Sequence, residues 1–167
     1  MVKQNREIQN SFYKSREDAV NKMELRFTPL SENEGFARVA VAAFMTELDP
    51  TLEEVEDVKT AVSEAVTNSI IHGYERVEGK EQALEGEQWV LIEAYLTKGT
   101  VHIRIEDKGV GMEDVEKAME PLFTTKPELE RSGMGFAFME AFMDELYVES
   151  GPGDGTVVYM SKQIGGQ

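Results

Sequence analysis

The sequence predicts a two-layer α/β sandwich, with helices on one face of a mostly antiparallel mixed sheet. Three observations predict it. Segments rich in β-branched and apolar residues come in two pairs, 89–96 with 101–106 and 145–150 with 156–161, each pair joined by a short Gly-containing turn. Segments of helical periodicity alternate with the strands in the order βααββααββ. A sheet and a set of amphipathic helices each need the other to bury an apolar face, so the two stack as layers.

Residues 1–22 show little apolar periodicity and read as a flexible leader or an extra helix, leaving 23–167 as the folded domain. Met23 starts a short strand, Glu24-Leu25-Arg26-Phe27, which Thr28-Pro29 closes. Ser31 with Glu34 three residues on has the form of a capping box, and Phe36, Val39, Ala40, Ala43 and Phe44 mark the expected buried stripe of the first helix. That helix stops near Asp49-Pro50. Thr51 and Glu54 repeat the capping pattern before a long second helix, on which Val55, Val58, Val62, Ala65, Val66, Ser69 and Ile70 recur at helical spacing until Gly73 ends it. Residues 75–87 are charged and read as a loop or a variable insert. After the first strand pair come the Gly-rich segment 107–111, a short helix around 114–119, and a segment 121–132 without a clear period that reads as a mobile loop. Gly133-Met134-Gly135 opens the last helix, and the second strand pair follows.

The bulk numbers narrow the function. At 167 residues the chain suits one domain with room for a small ligand. Hydrophobic residues at 41% and charged residues at 29% are an ordinary globular balance. The absence of cysteine excludes disulfides and thiolate metal sites. Seventeen Lys and Arg against 32 Asp and Glu give −15, which argues against direct nucleic-acid binding, where basic surface must displace counterions. The same acidity suits a basic protein partner, such as a DNA-binding transcription subunit, and equally serves solubility. The apolar runs are too short to cross a bilayer and the N-terminus lacks a signal peptide's apolar core, so a cytoplasmic protein without a membrane role is expected.

Four short patterns carry candidate chemistry. Glu64, Asn68 and His72 lie at i, i+4, i+8 on the second helix, one stripe beside its apolar face. A carboxylate and an amide one turn apart can serve as base and magnesium ligand, since magnesium takes few protein oxygens and keeps several waters. A solvated helix face explains the same spacing. Asp107-x-Gly109-x-Gly111 ends a strand, where the carboxylate can accept from an exocyclic amine while the glycines admit close approach. An ordinary turn also fits. Arg131-Ser132-Gly133-Met134-Gly135 leads into a helix whose first N–H groups can hold an anion, and Thr124, Thr125, Lys126 and Arg131 in the preceding loop can reach a triphosphate. No Gly-Lys-Ser/Thr follows, so this is not a Walker motif. Gly155-Thr156, entering the last strand, is informative only through its order after the other three.

In that order the four patterns resemble the boxes of the GHKL ATPase superfamily, which includes gyrase, histidine kinases and MutL, over about residues 23–162. The segments SEAVTNSIIHGY, PLFTTKPELERSGMGF, FMDELYVES and ENEGFARVAVAAFMTELDPT are similar to the anti-sigma F factors of sporulation. General-stress anti-sigma kinases share the boxes but not the TTKPELERSGMGF lid. The resemblance implies a Bergerat-type ATP-binding fold and a protein serine/threonine kinase that uses ATP or ADP with Mg2+. It implies that Glu64 is the general base, that Asn68 ligates magnesium, and that Asp107 reads the adenine amine with support from Thr156. Gly109 and Gly111 would pack near the base, and Gly133 and Gly135 would bind phosphates. The implied partners are a sigma factor, an anti-anti-sigma factor phosphorylated on serine, and a second copy in a homodimer. Arg38, on the first helix, is the expected partner contact. Two alternatives are a general-stress-type kinase and a nucleotide-gated binding module without catalysis. A histidine kinase would need an upstream phospho-acceptor, and the only histidines are His72 and His102.

Overall fold

In the computed structural model of the chain, residues 6–76, 86–121 and 134–165 are described. Two hairpins make most of its sheet. Strands β2 (Val90–Thr97) and β3 (Thr100–Asp107) pair from Val90 opposite Asp107 to Thr97 opposite Thr100, and β4 (Glu145–Ser150) pairs with β5 (Thr156–Gln163). β1 (Asn21–Phe27) adds to β2, and β5 lies against β3, giving the order β1-β2-β3-β5-β4. All four pairings among the described residues are antiparallel, in keeping with the mostly antiparallel sheet expected.

Strand alternation sorts the side chains to two faces. Ile92, Ala94, Leu96, Ile103, Ile105, Val158 and Met160 point to one face and form the main core with the helices. Over them lie α2 (Glu32–Met45), α3 (Leu52–Asn68) and α5 (Gly135–Phe142). α3 is central, packing on both α2 and α5. Its start is held by a full capping box: the Glu54 N–H donates to Thr51 Oγ1 at 3.2 Å and the Thr51 N–H to Glu54 Oε2 at 2.7 Å. A single π-helical turn, Ser69–Gly73, follows α3, and a short α4 (Val115–Ala118) is capped by Asp114.

The opposite face of the sheet is covered too. Helix α1 (Arg6–Glu17) buries Phe12 against Tyr95 and Tyr159, with ring centroids 4.7 and 5.1 Å apart. Tyr95 donates its hydroxyl to the Phe12 carbonyl, and Arg16 pairs with Glu93 at 2.8 Å. The helices are therefore not confined to one face. Phe12, the only buried side chain among the described residues of that helix, is what brings α1 there.

The first of the two predicted capping boxes does not form. Ser31 already has helical backbone angles, φ −56° and ψ −32°, and its side chain makes no cap bond. The Glu34 carboxylate instead accepts from Ser63 of α3 and faces Arg38 at 3.6 Å. The buried stripe of α2 is also displaced. Ala37, Val41 and Met45 face the core, whereas Phe36 and Val39 are 58% and 56% exposed. Apolar residues ring most of this helix, so periodicity alone cannot say which face turns inward.

Candidate functional site

A cavity of about 490 Å³ opens where the end of α3, the turn after β3, the start of α5 and the start of β5 converge. Asn68, Ser69, Asp107, Gly111, Gly135 and Thr156 all line it, so one hollow collects residues from all four sequence patterns. Its size lies within the range of ordinary small-molecule pockets.

Asp107, which lines the cavity, is 2% exposed. Its carboxylate accepts the Gly109 N–H at 2.9 Å, the Ser69 hydroxyl and the Thr156 N–H. Burial pushes its pKa above the usual carboxylate value, and those three donors work in the other direction. The register explains the geometry: Asp107 is opposite Thr156 at the β3–β5 edge. The turn that follows is packed too tightly for side chains. A Cβ on Gly109 would stand 2.1 Å from the Gly73 carbonyl oxygen, which already accepts the Val110 N–H at 2.9 Å. Gly109 thus joins the turn to the end of α3 and does not itself line the cavity. Gly111 does line it, at φ +71°, a backbone region that favours glycine.

Glu64 and Asn68 converge on the first residue of α5. A Cβ built on Gly135 would lie 3.1 Å from Glu64 Oε2 and 3.3 Å from Asn68 Nδ2. The missing side chain lets both polar groups face the N-terminus of α5, whose early N–H groups have no partners within the helix. The charge around the mouth is mainly negative. Glu75, Glu113, Asp114 and Glu120 line it with Lys117. An anionic ligand in such a mouth needs cations beside it.

The Asn68 amide fits a magnesium ion held partly by ligand oxygens, because one protein oxygen is enough when phosphates and waters supply the rest. Among the described residues no cluster of three or more His, Cys, Asp or Glu could hold a metal ion.

Several predicted residues are elsewhere. Thr124, Thr125, Lys126, Arg131, Ser132 and Gly133 lie outside the described residues. Arg38 is on the exposed side of α2, paired with Glu34, and does not line the cavity. The Thr156 hydroxyl is engaged by Ser150 at 2.9 Å, so it is the Thr156 main chain that meets Asp107. Ser69 was grouped with the apolar stripe by its spacing; it is buried, yet its hydroxyl belongs to the site. Val110, Met112, Phe136 and Val158 supply apolar wall, and none carries a signal that sequence spacing could have read.

Residues 27–162 match the histidine kinase-like ATPase domain family. The chain is 58% identical over 144 residues to an anti-sigma F factor of Clostridium beijerinckii, covering 86% of this chain and 95% of that one. It is 54% identical over 144 residues to an anti-sigma F factor of Geobacillus kaustophilus, covering 86% and 93%. A crystal structure of the RsbU and RsbW domains of a Mycobacterium tuberculosis protein superposes with a TM-score of 0.58 at 17% identity. That match covers 87% of this chain and 33% of the other, and it speaks to the fold alone.

Proposed function

This chain belongs to the histidine kinase-like ATPase domain family and, within it, to the anti-sigma F factors, and from that premise we propose that it inhibits a sporulation-type sigma factor and phosphorylates its antagonist. The antagonist is an anti-anti-sigma factor, phosphorylated on a serine at the expense of Mg-ATP. The observation that supports this reading best is the convergence of Glu64 and Asn68 on Gly135, with Asn68, Gly135 and buried Asp107 lining one cavity.

Each residue then has a task. Asp107 accepts the exocyclic amine of adenine, and Gly111 and the apolar wall accommodate the base. The N–H groups at the start of α5 hold phosphate oxygens, helped by Gly133 and by Thr124, Thr125, Lys126, Arg131 and Ser132, which precede it in the sequence. Asn68 would hold magnesium, which would offset negative charge on the phosphates beside the acidic lining. Glu64 takes the hydroxyl proton of the partner's serine as that oxygen bonds to the γ-phosphorus and the bond to the leaving ADP breaks. The transfer is in-line displacement with no change of oxidation state.

The exposed Phe36 and Val39 beside Arg38 support α2 as the surface for the sigma factor or a second copy. A homodimer in the cytoplasm is the working state proposed here, and sedimentation of the purified chain tests the dimer. Among the described residues no helix is long and apolar enough to cross a membrane.

The decisive experiment is Glu64→Gln. ATP binding should persist while phosphate transfer to the anti-anti-sigma factor falls by about 10²–10⁴. Transfer at the wild-type rate removes Glu64 as base, and absence of transfer in wild type leaves a nucleotide-gated binding module. Co-purification with the sigma factor, with and without nucleotide, tests the inhibitory half.

A further inference from the structure

Tyr74 follows the π-helical turn, and its hydroxyl joins three backbone groups. It accepts the Lys108 N–H at 2.8 Å, donates to the Trp89 carbonyl at 2.6 Å, and receives the Trp89 N–H at 3.4 Å. Lys108 is the residue after Asp107, and Trp89 precedes Val90, the strand partner of Asp107. One side-chain oxygen therefore clamps both strand ends at the point where Asp107 is held.

The other end of the same turn touches Asp107 directly. Ser69, 5% exposed, bonds the carboxylate through its hydroxyl, and its carbonyl accepts the Tyr74 N–H at 2.9 Å. Between them Gly73 passes so close that a Cβ there would fall 2.9 Å from Asp107 Oδ1. Alanine at 69 and phenylalanine at 74 would occupy much the same space. What the two hydroxyls add is fixed direction for the Asp107 carboxylate and its turn.

A carboxylate offers about four acceptor sites. Three are used by Gly109, Ser69 and Thr156. Asp107 lines the cavity, so one acceptor site is left for a ligand that can donate a hydrogen bond. A 6-amino purine does so, whereas a 6-oxo purine presents an acceptor to an acceptor.

We propose that Ser69 and Tyr74 are positioning residues that set base specificity, holding Asp107 so that only an amine-bearing purine satisfies its remaining acceptor site. The proposal rests on the reading of Asp107 as the adenine acceptor, and the experiment separates the two. Calorimetric titration of ADP and IDP is made on the full chain and on Ser69→Ala, Tyr74→Phe and Asp107→Asn, with thermal midpoints in parallel. Wild type should prefer ADP over IDP. Each of the Ser69 and Tyr74 variants should lose that preference on the order of fivefold or more, the loss falling on ADP, with IDP affinity little changed. A variant that keeps the wild-type ratio while Asp107→Asn abolishes it overturns the role of that residue and leaves Asp107 standing. A variant that weakens both nucleotides alike marks a merely structural residue and overturns it too. Wild type without preference for ADP sinks the Asp107 reading and this proposal with it.

Discussion

His102 reports whether α1 is seated, and the effect can be worked out in advance. Its ring is 9% exposed, stacked on Tyr95 at 4.5 Å and 11°, with Phe12 of α1 edge-on at 6.3 Å. Nε2 lies 2.9 Å from Thr97 Oγ1. Burial lowers its pKa from 6.5 to about 4, opposed weakly by the Glu145 charge. The folded protein thus binds fewer protons than the unfolded chain between those values. The His102 contribution to stability is whole above pH 6.5, declines as pH falls toward 4, and changes little below. At ~1.4 kcal/mol per pH unit the interval is worth roughly 3 kcal/mol. Asp107, with its pKa raised, acts in the opposite sense, regaining stability as it protonates, so the wild type must be compared with His102→Gln. NMR titration of the His102 ring follows the group itself, and denaturant midpoints at pH 7.5 and 4.5 follow its energetic effect. Phe12→Ala opens the roof over the ring. The pKa of His102 should then rise toward 6.5, and the acid-induced loss attributable to it should shrink in proportion. A wild-type His102 titrating near 6.5, or one whose pKa is indifferent to Phe12→Ala, would refute the reasoning.

Two further outcomes follow from local geometry. Gly109→Ala places a methyl 2.1 Å from the Gly73 carbonyl oxygen, so the backbone must shift, at a cost of about 1–3 kcal/mol, and ADP affinity measured by calorimetry should fall with it. Thr51→Ala should lower the thermal or denaturant midpoint by the equivalent of about 1 kcal/mol, whereas Ser31→Ala should change it by less than about 0.5 kcal/mol, because only Thr51 makes a cap bond. Equal effects at both positions would contradict the capping assignment.

Much of the site was legible because its chemistry depends on residues close together in the chain. The i, i+4 spacing put Glu64 and Asn68 on one stripe whatever they faced, and strand-ending Asp107 with its glycines needed no distant partner to look like a binding turn. Other features depended on distant neighbours. Ser31 and Thr51 open the same sequence pattern, yet Glu34 was drawn off to Ser63 and Arg38, which no local rule could foresee. Ser69 matched an apolar period, but what lies opposite it is the Asp107 carboxylate.

The sequence by itself therefore determined the succession of helices and strands from β1 onward, the strand pairs, and the order of the four nucleotide-type patterns, since periodicity and turn chemistry act over a few residues. Only the tertiary structure decided which face of α2 turns inward and that α1 crosses to the far side of the sheet. It alone showed that Ser69 bonds the carboxylate of Asp107 and that Tyr74 ties together the strand ends beside it. Those outcomes come from packing between segments far apart in the chain, where burial and hydrogen-bond partners are set by what arrives opposite, not by what lies adjacent.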